Sequence, residues 1–287
     1  MSAVLLGVFA ALCWSVHDVF ARTLAVRVGP FRMAALMMVA GALLLTGFVL
    51  WNGTVWTASR AGLLLSLALG LAYGFGVGGL FKAFSLGPVS LVAPLSASYP
   101  VIVVFRGLFN GLTPSAAQWL AVAVTIGGAV IVARAGGAEN AGRMMSRRNL
   151  TIFVIFCLLS NLGFSASVIL GQHAAVAMGE IEAAWISRPI ALLTIVPFCF
   201  GEAKPSTLQR RHWLGILAMG AFDVMGVTAI NASGHLPDRE FAAVGISAYG
   251  AIAVILAMLF LKEKVFPGQW LGIALIVAGV ATLSVSQ

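Results

Sequence analysis

The chain has 287 residues, 61% of them hydrophobic and 9% charged, with a mean hydropathy of +1.03. Soluble domains are about 25% charged, so these proportions exclude a soluble globular protein and describe an integral membrane protein whose solvent is the bilayer. Its net charge of +8 would suggest nucleic acid in a soluble chain. Here the basic residues flank apolar runs, where lipid headgroups and the positive-inside bias account for them, and no nucleic-acid partner is expected.

The apolar runs are too long and continuous for barrel strands, so the backbone must be satisfied inside helices. Ten spans of about 20 residues each fit the length and leave almost no room for a soluble domain. The first predicted helix runs from Ala3 to Arg22 and carries Trp14, Ser15, His17 and Asp18 in its second half. It has no basic leader and reads as a retained helix. Gly29 and Pro30 mark the turn into helix 2, Phe31 to Leu50, with Arg32 near its start. A polar loop from Asn52 to Arg60 follows, with Trp51 and Trp56 at interfacial depth. Helix 3, Gly62 to Phe84, is rich in glycine, which favours close helix packing. Its GFGVGG string has no preceding strand and is not a dinucleotide loop.

Helix 4 begins at Pro88 and contains Pro94 and Pro100, where the ladder loses donors. Helix 5 spans Ser115 to Val132, and the polar stretch with Arg143, Arg147 and Arg148 is the natural linker. Helix 6 is read from Leu150 to Leu170, followed by a loop holding His173, Glu180 and Glu182 and by helix 7 from Ile186 to Phe200. Helix 8, Trp213 to Ala232, carries Asp223 at its middle; helix 9, Phe241 to Leu261, carries Tyr249; helix 10 runs from Gln269 to Val285. Cys13, Cys157 and Cys199 stand singly in apolar runs and suggest neither disulfides nor a metal knuckle, so no cofactor is implied.

The chain repeats itself. Residues Leu86 to Phe105 and Leu236 to Ile255 align at an offset of 236 − 86 = 150, with Leu86, Ala93 and Tyr99 meeting Leu236, Ala243 and Tyr249. Carried back, the offset sets Tyr73 opposite Asp223. The expected organisation is residues 1–134 as one five-helix repeat, 135–149 as a basic linker, and 150–287 as a second five-helix repeat. Five is odd, so the second repeat enters the membrane in the opposite sense, and equivalent residues face each other across a pseudo-two-fold axis.

That symmetry predicts a cavity at mid-depth lined by Tyr73, Tyr99, Asp223 and Tyr249, with Trp14 as a wall. Asp223 is the sharpest candidate. An ionised Asp at a helix centre costs about 2.5–3.5 kcal/mol on insertion scales, and its own helix offers Met219, Gly220, Gly226 and Val227 but no counter-charge. Compensation must come from outside that helix: water, a substrate ammonium group, a proton, or a structural bond to a neighbouring helix. His17 titrates naturally in a range useful for proton coupling, or is a packing histidine. Asp18 is a further coupling candidate, or pairs with Arg22 one turn on. Arg32 and Arg188, at the starts of helices 2 and 7, read best as headgroup anchors, and Lys82 and Arg106 as snorkelling side chains.

These residues resemble the EamA-type transporters of the drug/metabolite transporter superfamily. The resemblance is carried by Trp14-Ser15, Arg32 and Arg188, Tyr99-Pro100, Leu261-Lys262-Glu263-Lys264, Gln269-Trp270-Leu271-Gly272 and Gly279-Val280. It implies a ten-helix protein of two five-helix repeats that moves amino acids, other metabolites or drugs. The chain departs from the pattern at Asn110-Gly111-Leu112-Thr113, where a Glu is usual, and at Gly250, where the second repeat usually has Pro.

The expected function is therefore a secondary carrier of a small metabolite (amino acid, amine or drug-like compound), working by alternating access in the bilayer of a bacterial inner membrane, as monomer or homodimer. No Walker loop is present, so its energy would come from a gradient of protons or of substrate. Tyrosines over a carboxylate suit a substrate with an amino group. The rival classes are an intramembrane enzyme using Ser165 and His173, and a non-transporting sensor. Thirteen of the 17 basic residues fall on odd-numbered loops, which places both termini outside by the charge rule, whereas the resemblance implies termini inside.

Overall fold

The computed structural model describes residues 2–53, 59–86, 99–109, 111–137, 147–202, 208–261 and 265–285. The side chains of Asp18 and Arg22 lie outside the described residues, as do Pro88, Pro94, Arg143 and Lys262 to Lys264. The described chain is helical, without strands among those residues: α1 (Ala3–Val28), α2 (Pro30–Asn52), α3 (Arg60–Leu86), α4 (Tyr99–Phe109), α5 (Ala116–Gly137), α6 (Arg147–Met178), α7 (Glu180–Cys199), α8 (Arg210–Ala232), α9 (Phe241–Ile246), α10 (Tyr249–Leu261) and α11 (Pro267–Val285). Seven helical spans among the described residues are long and apolar enough to cross a membrane, and Ala3–His17, Tyr99–Phe109 and Ala116–Val132 are shorter apolar segments.

The offset of 150 recurs in the backbone. α1 ends at Val28 and α6 at Met178; α3 starts at Arg60 and α8 at Arg210. Both first hairpins turn on a single glycine, Gly29 at φ 94° and Gly179 at φ 104°, in a region that side chains with a Cβ avoid. Pro30 then opens α2, where its missing N–H costs nothing. Glu202 supplies the cap its own residues lack, accepting from the N–H groups of Phe31 at 2.7 Å and Arg32 at 3.0 Å.

The halves interlock. α3 packs against α6 and α7, α8 packs against α1 and α2 in the equivalent way, and α5 lies along α11. Glycines permit this closeness: a Cβ on Gly76 would stand 2.9 Å from the Phe164 ring, and one on Gly226 would stand 2.9 Å from Trp14 Nε1. The two pairs are equivalents, since 226 − 76 and 164 − 14 are both 150.

Several expected boundaries shift: α1 runs on to Val28 and α5 to Gly137. The loop drawn around His173, Glu180 and Glu182 is helix almost throughout, broken only at Gly179. Glu180 and Glu182 occupy the first turn of α7, where acidic side chains suit the positive end of the dipole. Helix 9 is also pinched between α9 and α10, where Ser247 and Ala248 donate to carbonyls three residues back, at 2.9 and 3.1 Å.

Candidate functional site

Four helices bring one polar side chain each to a common point near their middles. Asp223 of α8 is buried and accepts on both carboxylate oxygens. Tyr73 of α3 donates its hydroxyl to Oδ1 at 2.6 Å, and Trp14 of α1 donates its indole N–H to the same oxygen at 3.2 Å. Arg188 of α7 forms a salt bridge from Nη1 to Oδ2. Its Cζ also lies 5.2 Å from the centroid of the Tyr73 ring, a cation–π distance. Charge, two neutral donors and an aromatic face thus meet in an otherwise apolar interior.

Arg188 corrects the sequence reading. It is a fully buried residue two turns inside α7, not a headgroup anchor, because the helix starts at Glu180 rather than Ile186. The counter-charge that Asp223 lacks on its own helix is this guanidinium, so Asp223 needs no ammonium group to be neutralised. A signal was present: Gly29 plus 150 is Gly179, which sets the start of α7 and hence the depth of Arg188.

The remaining candidates divide. Tyr99 joins the group at second hand, through Phe164, whose ring centroid is 6.0 Å from that of Tyr99 and 6.3 Å from that of Tyr73. Tyr249 does not join it; neither Tyr99 nor Tyr249 bonds Asp223, and Tyr249 packs against the cluster of Ala11, Ala129 and Ile276. The symmetry of these two tyrosines is expressed in their backbones, because Ser15 donates to the Tyr249 carbonyl at 3.1 Å and Ser165 to the Tyr99 carbonyl at 3.2 Å. His17 is buried against α2, with Nε2 2.9 Å from Met37 Sδ.

Ser165 is accounted for structurally, since its hydroxyl proton is shared with the Asn161 carbonyl one turn back, at 2.7 Å. His173 lies within the same helix, its Nδ1 2.7 Å from the Ile169 carbonyl and its Nε2 3.1 Å from Arg239. Eight residues along one helix separate the two side chains by about 12 Å of rise, too far for a nucleophile–base pair.

The fold and site define a multi-pass helical membrane protein built from two repeats. The EamA-like transporter family model matches residues 1–134 and 151–285, and the chain belongs to that family. No curated protein matches the chain in sequence. A solved crystal structure superposes on it with a TM-score of 0.78, covering 99% of this chain and 96% of its own at 19% identity. At that identity the likeness speaks for the fold.

Proposed function

We propose that the protein is a secondary-active carrier of a small metabolite, with ten transmembrane helices in two inverted five-helix repeats, working by alternating access around the Arg188–Asp223 pair. The observation that carries this reading is the composition of the site. Trp14 and Tyr73 come from the first half, Arg188 and Asp223 from the second, so relative rocking of the halves would remake these contacts. Contacts of that kind differ between inward-open and outward-open states, which is what a substrate must exploit to drive the change.

Residues 1–134 and 150–287 are the proposed rocking units, joined through 135–149, in the inner membrane of a bacterial cell. A gradient of protons or of the substrate itself supplies the energy. The charge rule supports both termini outside, and more steeply once Arg188, a buried residue, is removed from the loop count. Uptake by proteoliposomes tests the mechanism: substrate accumulation that responds to an imposed pH gradient and is lost in Asp223→Asn is expected for proton coupling. Transport indifferent to both would remove the coupling and leave a carrier driven by substrate alone.

A further inference from the structure

We infer that Arg188 recognises the substrate, and that the substrate is an organic carboxylate with an apolar or aromatic body. This rests on the carrier reading above and names the chemistry its site would select.

A guanidinium has five N–H donors on three nitrogens and is permanently charged. Asp223 engages Nη1, while Nε and Nη2 are buried and have no hydrogen-bond partner among the described residues. These two atoms form one edge of the planar group, the fork that matches the two oxygens of a carboxylate. Asp223 is in the opposite condition, accepting twice on Oδ1 and once on Oδ2. The unmet demand of the pair is therefore for an acceptor, and an amine would bring donors where donors are already in surplus.

The surroundings shape the rest of the ligand. On its own helix Arg188 is flanked by Ala184 four residues before and Ala191 three after, both buried and too small to reach the fork. The guanidinium carbon lies over the Tyr73 ring, and Phe164 and Tyr99 continue the aromatic surface from Tyr73. Met33, Met37, Met38 and Met219 pack in the cluster that contains Tyr73 and Phe164, an adaptable apolar wall. Beside the net-neutral Arg188–Asp223 pair every added negative charge is buried without a counter-charge, so a monoanion costs less than a phosphate dianion.

Four probes test this, 3-phenylpropionate, its near-isostere 3-phenylpropionamide, 3-phenylpropylamine and inorganic phosphate, each titrated against the purified full-length protein in detergent with thermal unfolding as readout. Saturable stabilisation by the carboxylate alone is expected. Arg188→Lys, which keeps the charge but loses the fork, should weaken it about 10- to 100-fold. The double variant Arg188→Met/Asp223→Asn, which leaves no buried charge unpaired, should stay folded and lose it. Equal or better stabilisation by the amine or amide, no shift with the carboxylate, or a double variant that still binds it would overturn the inference. Counterflow of labelled ligands in proteoliposomes separates the two proposals. Binding of phenylpropionate without exchange would sink the carrier and spare the anion site; exchange of the amine but not the carboxylate would do the reverse.

Discussion

Positions 73 and 223 are one place in the fold seen twice, and so are 38 and 188. In the first half they hold Tyr73 and Met38, in the second Asp223 and Arg188. Around them the halves agree closely: the Gly29 and Gly179 turns, the Gly76 and Gly226 seats for Phe164 and Trp14, and the Ser15 and Ser165 bonds to the opposite half. The scaffold has stayed symmetric while the charges were concentrated on one side of it. A symmetric ion pair would place two buried pairs in a low-dielectric interior and double a desolvation cost of several kcal/mol per ion. One pair, met by neutral aromatic donors from the other half, leaves a single charged centre shared by both halves.

The largest way to break this comparison is to unpair the charges. Arg188→Met alone, which installs the side chain found at position 38, strands Asp223 and should cost about 3–5 kcal/mol, read as a lower unfolding temperature in detergent. Adding Asp223→Asn should recover most of that loss while transport stays abolished. A double variant as unstable as the single would mean that the site cannot be returned to the uncharged character of its counterpart.

A smaller effect separates shape from chemistry. Gly76→Ala and Gly226→Ala each press a new methyl against an aromatic ring, so both should lose about 1–3 kcal/mol. Only the second displaces a hydrogen-bond donor of Asp223. Transport corrected for folded protein should therefore fall much further in Gly226→Ala than in Gly76→Ala. Equal transport defects would show that Trp14 acts by packing alone.

Much of this was legible from residue order, and the reason is periodic. An offset of 150 needs only a few matched positions to register, and it sets Tyr73 opposite Asp223; the two side chains meet at 2.6 Å. The cost of an ionised Asp in a helix centre likewise demanded a partner from elsewhere. Arg188 escaped because depth depends on where a helix begins, and acidic residues at a helix start look like a loop when read singly. Tyr249 stands apart from Asp223 for a different reason: the repeat preserves its backbone role against Ser15, whereas its side chain packs against an alanine-rich cluster from α1, α5, α10 and α11. A repeat offset transmits backbone equivalence more faithfully than side-chain surroundings.

The Ser15 and Ser165 bonds give the finest test of that statement. Each hydroxyl shares its proton between a carbonyl one turn back, at 2.7 Å, and the carbonyl of Tyr249 or Tyr99, at 3.1 or 3.2 Å. Removing either hydroxyl leaves its intrahelical carbonyl bonded in the helix ladder, so the loss is confined to the bond between elements, about 1 kcal/mol. Ser15→Ala and Ser165→Ala should therefore lower stability by similar amounts and, sharing no partner, add within a few tenths of a kcal/mol in the double variant. If Ser15→Ala costs clearly more, the α10 side carries a load the α4 side does not. The asymmetry of charge at Arg188 and Asp223 would then extend into the backbone frame, and the halves would rock about an axis displaced toward the second repeat.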